Sequence, residues 1–386
     1  MKCDKILLKM EKVALYLHIP FCQKKCPYCN FYSITRGFSE ALYLSALRKE
    51  IAFWKEHFNP KIETFYAGGG TPSLLSPGFY ETLFDILSKS FDFTPVELTL
   101  EANPESLDLE KLKTFRAIGF NRISLGVQSL TKKGLKFLER IHSVDKALKV
   151  IDWLVTANFE NFSLDFIYDW KGQGLKTLEK ELKLILSLKA PHLSFYEFTL
   201  EEGTPMQRLY KKKTWSSEKK VESLCRLIED TLEGAGYERY EISNYAFSGK
   251  KCLHNLFYWK VKPYLGIGAG AVSRIDKYRW KNPENYSLYT SHLIKKGSPP
   301  FEILEIWNEK EWIKEYIFMG LRLKEGIKIV FLRKKGYSFS QNALKLLKSH
   351  ELIEEEGGRI FLTFKGKLLH NRIVAFLWDN LEETRK

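Results

Sequence analysis

The sequence predicts an α/β protein whose first 205 residues form an open, partial barrel or a doubly wound parallel sheet, followed by an α+β extension and a winged-helix-like C-terminal module. Two patterns carry this prediction. Through the first 200 residues, short β-rich runs alternate with longer amphipathic ones, the arrangement of βαβ units with right-handed crossovers. Beyond about residue 300 the order becomes helical runs followed by two short pieces split by Gly357-Gly358, which reads as a small hairpin.

Six runs read as strands: Ala14–Ile19, Thr64–Ala67, Glu97–Leu100, Arg122–Leu125, Phe162–Ile167 and His192–Phe198. Their β-branched, aromatic and leucine residues suit parallel strands covered on both faces. Between them, runs such as Tyr80–Ser88, Leu109–Ile118 and Gly174–Ser187 repeat their apolar residues every three or four positions, the period of a helix packed on a sheet. Six units are too few for a closed eight-unit barrel. After about residue 205 the rhythm breaks into a helix at Glu222–Glu233, a strand-like Tyr237–Ile242 and the block Cys252–Ser273. The last part offers helices at Glu311–Leu321 and Gln341–Ser349, strand-like Leu352–Glu356, and a final helix over Thr363–Leu377. The expected divisions are a lead-in at 1–12, a core at 13–205, an extension at 206–299 and the C-terminal module at 300–386.

Of the 386 residues 44% are apolar and 14% aromatic, enough for a large core and against global disorder. The net charge of +14 favours anionic partners such as nucleic acid, acidic lipid or a carboxylate ligand, although lysines also simply solvate helix faces. No stretch approaches the roughly 20 apolar residues that span a bilayer, and charges interrupt the first 20 residues, unlike a signal peptide. A cytoplasmic location is expected. Thiols stay reduced there, so clustered cysteines read as ligands or redox groups before disulfides.

The sharpest local signal is Cys22, Cys26 and Cys29, in a Cys-x3-Cys-x2-Cys run directly after the first strand. Zinc sites usually take four ligands, and no fourth is clear nearby. Three thiolates on a [4Fe–4S] cubane leave one iron open to a small molecule. Taken alone, the run also admits a zinc site or an incidental cluster. Its placement adds weight, because ligands in parallel α/β sheets bind beyond the carboxyl ends of the strands. At those ends stand Gly68-Gly69-Gly70-Thr71-Pro72, Glu101 with Asn103-Pro104, Gly126 with Gln128-Ser129, and Asp165.

These residue types suit a zwitterionic nucleoside such as S-adenosylmethionine. Glycines let backbone approach the methionine moiety. Glu101 and Asp165 can accept from an ammonium or a ribose hydroxyl, and Gln128 and Arg140 can meet a carboxylate. Singly, the glycine run is compatible with a plain turn and Arg140 with a solvated helix residue.

The ordered runs from Tyr16-Leu-His18-Ile-Pro20-Phe21-Cys22 through AGGGTPS, EANPES, ISLGVQS, ERIHS, LDFIY and YEFTLEEGTP resemble the radical-SAM coproporphyrinogen III oxidase family, and most closely its haem chaperone branch. The resemblance runs from about residue 13 to the C-terminus. It implies a partial (β/α)6 barrel, with Cys22, Cys26 and Cys29 on the cluster. It places Tyr16, Tyr28, Gly69, Gly70, Thr71, Glu101, Gln128, Arg140 and Asp165 around S-adenosylmethionine. The oxidase carries a further Cys where this chain has Phe31, and a longer segment ahead of the first strand. Both differences favour the chaperone branch. A third departure is Asp169-Trp170-Lys171, which replaces the family's usual Gly-Leu-Pro after the fifth strand.

Cys252-Leu-His254-Asn255-Leu-Phe-Tyr258-Trp259 offers a histidine, a common haem-iron ligand, beside aromatic rings that can stack on a porphyrin. Read alone it is equally a packed loop, with Cys252 as a second possible ligand. The pattern resembles the chaperone branch's haem motif, which implies haem contact at His254. Gln341–Ser349 holds only Lys345 and Lys348, too few for a DNA-reading helix, so no nucleic acid is expected. The expected function is a haem chaperone that delivers haem to a client protein at the inner membrane face. The alternative is oxygen-independent oxidative decarboxylation of coproporphyrinogen III by a 5′-deoxyadenosyl radical.

Overall fold

The structure, a computed structural model, describes residues 12–58 and 60–384. The expected lead-in at 1–12, with Cys3, lies outside these residues apart from Lys12. Six parallel strands follow one another side by side: β1 (Val13–Ile19), β2 (Lys61–Gly69), β3 (Asp92–Ala102), β4 (Arg122–Gln128), β5 (Phe162–Tyr168) and β6 (His192–Glu197). Helices α1 (Glu40–His57), α2 (Pro77–Ser90), α3 (Leu109–Ala117), α4 (Lys132–Phe137), α5 (Val144–Thr156) and α6 (Leu175–Ser187) lie between the strands. Ser39, Ser76, Asp108, Thr131 and Ser143 each accept the backbone N–H three residues on. These N-caps set where five of the six helices start.

The period of two along each strand makes one side apolar and the other polar. Leu15, Leu17, Phe65, Leu100, Ile123, Leu125 and Leu164 join one buried core with helix residues such as Leu47, Leu83, Phe115 and Val150. The alternate positions Tyr16, Tyr66, Glu101, Ser124, Asp165 and Tyr196 line two cavities on the other side. A core of this kind leaves the inner face free for chemistry.

The extension is built into the same sheet. After α7 (Pro205–Tyr210) and α8 (Glu218–Gly234), β7 (Glu238–Arg239) and β8 (Asn244–Ala246) extend one edge beyond β6. Helix α9 (Leu253–Trp259) follows, and then β9 (Tyr264–Ile267) pairs in parallel with β1. The far edge is β10 (Val272–Ile275), β11 (Tyr278–Lys281) and, after α10 (Tyr286–Lys296), β12 (Glu302–Ile306). The sheet is therefore continuous, with 12 strands, across the expected division at residue 205. Its ends do not pair with each other, so the barrel is partial, as expected.

The C-terminal module has its own apolar core around Ile313, Ile317, Leu332, Leu347, Ile360 and Leu377. Its order is α11 (Glu309–Gly320), β13 (Ile327–Lys328), α12 (Ile329–Lys334), β14 (Tyr337–Phe339), α13 (Gln341–Ser349), then the hairpin β15 (Ile353–Glu356) and β16 (Arg359–Leu362). Two local expectations are corrected. The final helix is broken into α14 (Phe364–Leu368) and α15 (His370–Asp379), with β17 (Leu381–Glu383) behind them. Gly366 lies so close to the Leu352 carbonyl that a Cβ would sit 2.0 Å from its oxygen, while His370 turns its Nε2 to the Phe318 carbonyl. The strand expected over Tyr237–Ile242 shrinks to two residues, because the Arg239 guanidinium folds back to donate to the Ile242 carbonyl at 2.6 Å. Among the described residues no helix is long and apolar enough to cross a membrane.

Candidate functional site

Cys22, Cys26 and Cys29 lie on the loop after β1, all partly exposed and unpaired. The loop is held at both ends: Cys22 N–H donates to the Ile34 carbonyl at 3.0 Å, and Cys29 N–H to the Cys26 carbonyl at 3.1 Å. Thr71 Oγ1 lies 3.7 Å from Cys22 Sγ and Arg140 Nη1 lies 3.4 Å from Cys26 Sγ. Burial raises the Cys22 and Cys29 thiols above the usual range, so loading with metal must release their protons.

The three thiols line a cavity of about 650 Å³ with Tyr28, Gly69, Gly70, Thr71, Glu101, Gln128, Arg140 and Asp165. Every sequence-predicted cluster and S-adenosylmethionine residue except Tyr16 is therefore brought to one place. Tyr16 lines a second cavity, where its hydroxyl lies 3.1 Å from His18 Nδ1. Its ring stacks on Tyr66 at 6.2 Å, and Tyr66 stands at the edge of the first cavity.

Close approach explains the glycines. A Cβ on Gly70 would meet the Phe21 carbonyl oxygen at 2.7 Å, and Gly69 has φ +111° with the His18 ring 2.6 Å from the Cβ position. Gly69 N–H donates to Glu101 Oε2 at 2.9 Å and the Tyr66 hydroxyl to Oε1 at 2.8 Å. Even so, burial pushes the Glu101 carboxyl up to about 7, with Asp165 adding to the rise. Asp165 accepts from Ser124 and Ser163 at 2.6 and 2.7 Å. Gln128 ends β4 at a bulge with φ 65°, a conformation that costs a non-glycine residue about 1 kcal/mol or more.

Asn103 belongs to this site, although sequence reasoning gave it no role of its own. Its amide donates to Thr71 Oγ1 at 3.0 Å and its oxygen accepts from Arg140 Nη2. One side chain thus joins the loop after β2 to the turn after α4. Its signal was its place beside Glu101 at a strand end.

The donor set suits a cluster. Among the described residues no three His, Cys, Asp or Glu side chains converge as ligands of one ion would. A cubane does not ask for that, since each of its thiolates binds a separate iron. Phe31, where the oxidase branch has a further Cys, is 63% exposed and lines both cavities.

His254 and Cys252 are placed differently. Glu97 of β3 caps α9, accepting from Leu253 and His254 N–H at 2.9 Å each. His254 is fully buried, with Nδ1 2.9 Å from Thr64 Oγ1 and Nε2 2.9 Å from the Tyr258 hydroxyl. Burial, helped by Arg122, lowers its pKa to about 3. Cys252 is equally buried and its thiol is pushed up to about 12. In this arrangement both ring nitrogens of His254 are engaged by hydroxyls. His254 thus fixes Tyr258, which lines the second cavity. Replacing His254 with Ala is expected to lower stability by about 2–4 kcal/mol, since two buried hydroxyls lose their partner. Denaturant unfolding of the cluster-free protein checks this, and a change below about 1 kcal/mol would show that the ring is not held as described.

The turn after β5 is also decided by contacts. Asp169 has φ 60° and is buried between Lys213 at 2.7 Å and Lys220 at 2.8 Å. Trp170 is 1% exposed.

Residues 16–185 match the Radical SAM superfamily model. A relative from Bacillus subtilis (strain 168) named heme chaperone HemW is 35% identical over 95% of this chain and 99% of its own. The Lactococcus lactis subsp. lactis (strain IL1403) protein of that name is 33% identical over 95% and 98%. The solved Escherichia coli coproporphyrinogen III oxidase (HemN), described as a radical SAM enzyme, superimposes with a TM-score of 0.83 at 22% identity, covering 96% of this chain and 91% of that one.

Proposed function

The chain belongs to the HemW family within the radical SAM superfamily, and from that premise we propose that it binds a [4Fe–4S] cluster, S-adenosylmethionine and haem, and hands haem to a client protein. The observation that carries the reading is the first cavity, where three free thiols face glycine backbone, two carboxylates, a glutamine and an arginine. Cys22, Cys26 and Cys29 would hold the cluster, which supplies a single electron to the sulfonium of the bound nucleoside. Arg140 sits beside Cys26 and brings positive charge to the thiolate side. Gly69 and Gly70 leave room for the methionine moiety, and Glu101 and Asp165 accept from its ammonium or from ribose hydroxyls. Tyr28 packs beside Leu138, Phe198 and Met206 at the rim of this cavity. The client is reached from the cytoplasmic side, with the basic excess available to haem propionates and to an acidic membrane face.

Function is tested by reconstituting the cluster anaerobically, loading the protein with haem and offering a haem-free acceptor protein. Transfer at stoichiometric yield is the expected result. Absence of haem uptake sinks the reading, and many turnovers of decarboxylated coproporphyrinogen III would replace it with the oxidase.

The raised Glu101 carboxyl gives a pH prediction. Its folded pKa of about 7 lies above the unfolded value, so its charge destabilises the ligand-free protein increasingly as pH rises from about 4.5 to 7. The ligand's ammonium needs that charge. S-adenosylmethionine affinity is therefore expected to rise with pH through about 7 in the native protein and to be weak and flat in Glu101→Gln. A binding titration from pH 5.5 to 8.5 decides, and an unchanged slope in the variant would assign the dependence elsewhere.

A further inference from the structure

Asp165, on the wall of the first cavity, is backed by a line of buried polar groups that the site does not otherwise use. The register pairs Ser163 of β5 with His192 of β6, and Asp165 with Ser194. Alternate residues of a strand face the same way, so all four stand together on the inner face of the sheet. Ser163, His192, Ser194 and Tyr240 are each buried. Asp165 Oδ1 lies 2.7 Å from Ser163 Oγ, which lies 2.8 Å from His192 Nδ1. On the other side of the ring, Nε2 is 2.9 Å from the Tyr240 hydroxyl. The Cys252 backbone N–H ends the line, donating to the same hydroxyl oxygen at 3.3 Å.

That end fixes the direction of every hydrogen in the line. A backbone N–H only donates, so the Tyr240 oxygen accepts from Cys252. Among the described residues the hydroxyl has one other partner, His192 Nε2, and donates to it. Burial, with Arg122 adding to it, holds the His192 pKa well below its usual value. The ring is therefore neutral, and its two nitrogens take opposite roles. With Nε2 accepting, Nδ1 carries the hydrogen and donates to Ser163, whose own hydrogen goes to Asp165. Reversing the line would put a proton on Asp165 and strand the Tyr240 hydrogen as an unpaired buried donor, which is unfavourable. The geometry points to His192 as a positioning residue for S-adenosylmethionine, locked as the Nδ1–H tautomer behind Ser163 and Asp165. Asp165, which also accepts from Ser124 at 2.6 Å, is left as an acceptor only. Its remaining lone pairs are open to a ligand donor, an ammonium or a ribose hydroxyl. The inference rests on the S-adenosylmethionine reading above and extends it to a residue outside the cavity wall.

The test uses the full-length, cluster-loaded protein with isotope-labelled histidines. Nitrogen NMR is expected to show the His192 ring, identified by the signal missing from its variants, as neutral with the hydrogen on Nδ1. An Nε2–H ring or a doubly protonated one overturns the inference. Titration with S-adenosylmethionine gives the second reading. Asparagine places its amide where Nδ1 stood and glutamine places it nearer Nε2, so only the first keeps a donor for Ser163. His192→Gln is expected to weaken S-adenosylmethionine binding about tenfold, the worth of one hydrogen bond, and His192→Asn to stay within about twofold of the native protein. Both variants should unfold more easily, and both should keep full iron content. Equal losses of affinity in the two variants, or native affinity in His192→Gln, overturn the inference and leave the reading of the first cavity standing. A native protein that binds no S-adenosylmethionine refutes that reading, and the inference with it.

Discussion

Alanine at Cys22, Cys26 or Cys29 is expected to abolish the cluster, removing its visible absorption and most of the bound iron, while leaving the cluster-free fold intact. The two halves of this expectation have separate causes. With one thiolate gone, two corners of a cubane are left open, and two cysteines do not retain it. The fold survives because all three side chains are partly exposed on a loop pinned by backbone hydrogen bonds, not by the sulfurs. Exposed substitutions of this kind usually change stability by less than about 0.5 kcal/mol. Cys225 and Cys252 provide the contrast. Both are buried, and burial raises both thiols above the usual range, so serine at either position should keep full iron content. Full iron in Cys26→Ala would mean that the ligands lie elsewhere.

The largest effect on stability is expected at Trp170, and alanine there should lower it by about 3–5 kcal/mol, as for other large aromatic truncations in a packed interior. Trp170 is among the largest fully buried side chains. It stands next to Asp169, which clamps Lys213 and Lys220 and accepts from Trp215 Nε1 through its carbonyl at 3.1 Å. Its ring meets Phe137 at 6.4 Å, and Phe137 packs with Phe198 and Tyr28 at the rim of the first cavity, so loosening it should also weaken S-adenosylmethionine binding. The Trp170 indole N–H has no hydrogen-bond partner. Phenylalanine should therefore recover most of the stability, about 2 kcal/mol or more of the loss. A phenylalanine variant as unstable as the alanine one would show that the indole N–H carries the effect, contrary to the packing argument.

Both predictions concern residues that the sequence marked, one by spacing and one by departure from a pattern. The Cys-x3-Cys-x2-Cys run was legible because its ligands are local: eight consecutive residues carry all three sulfurs. The six strands were legible because each is a short run of β-branched, aromatic and leucine residues between amphipathic helical runs. Their carboxyl ends placed Glu101 and Asp165 beside the cysteine loop before any contact was known. Strand-end glycines completed the first site from sequence order alone.

Other features depend on segments far apart in the chain. His254 looked like an open ligand beside aromatic residues, yet Thr64, 190 residues away, meets its Nδ1. Tyr16 shares a strand with the cluster loop but falls on the far side of the Tyr66 ring. A local pattern can state which groups a strand end or loop presents. Whether such a group is free or sealed is set by desolvation and by partners that only the folded chain brings within a few ångströms.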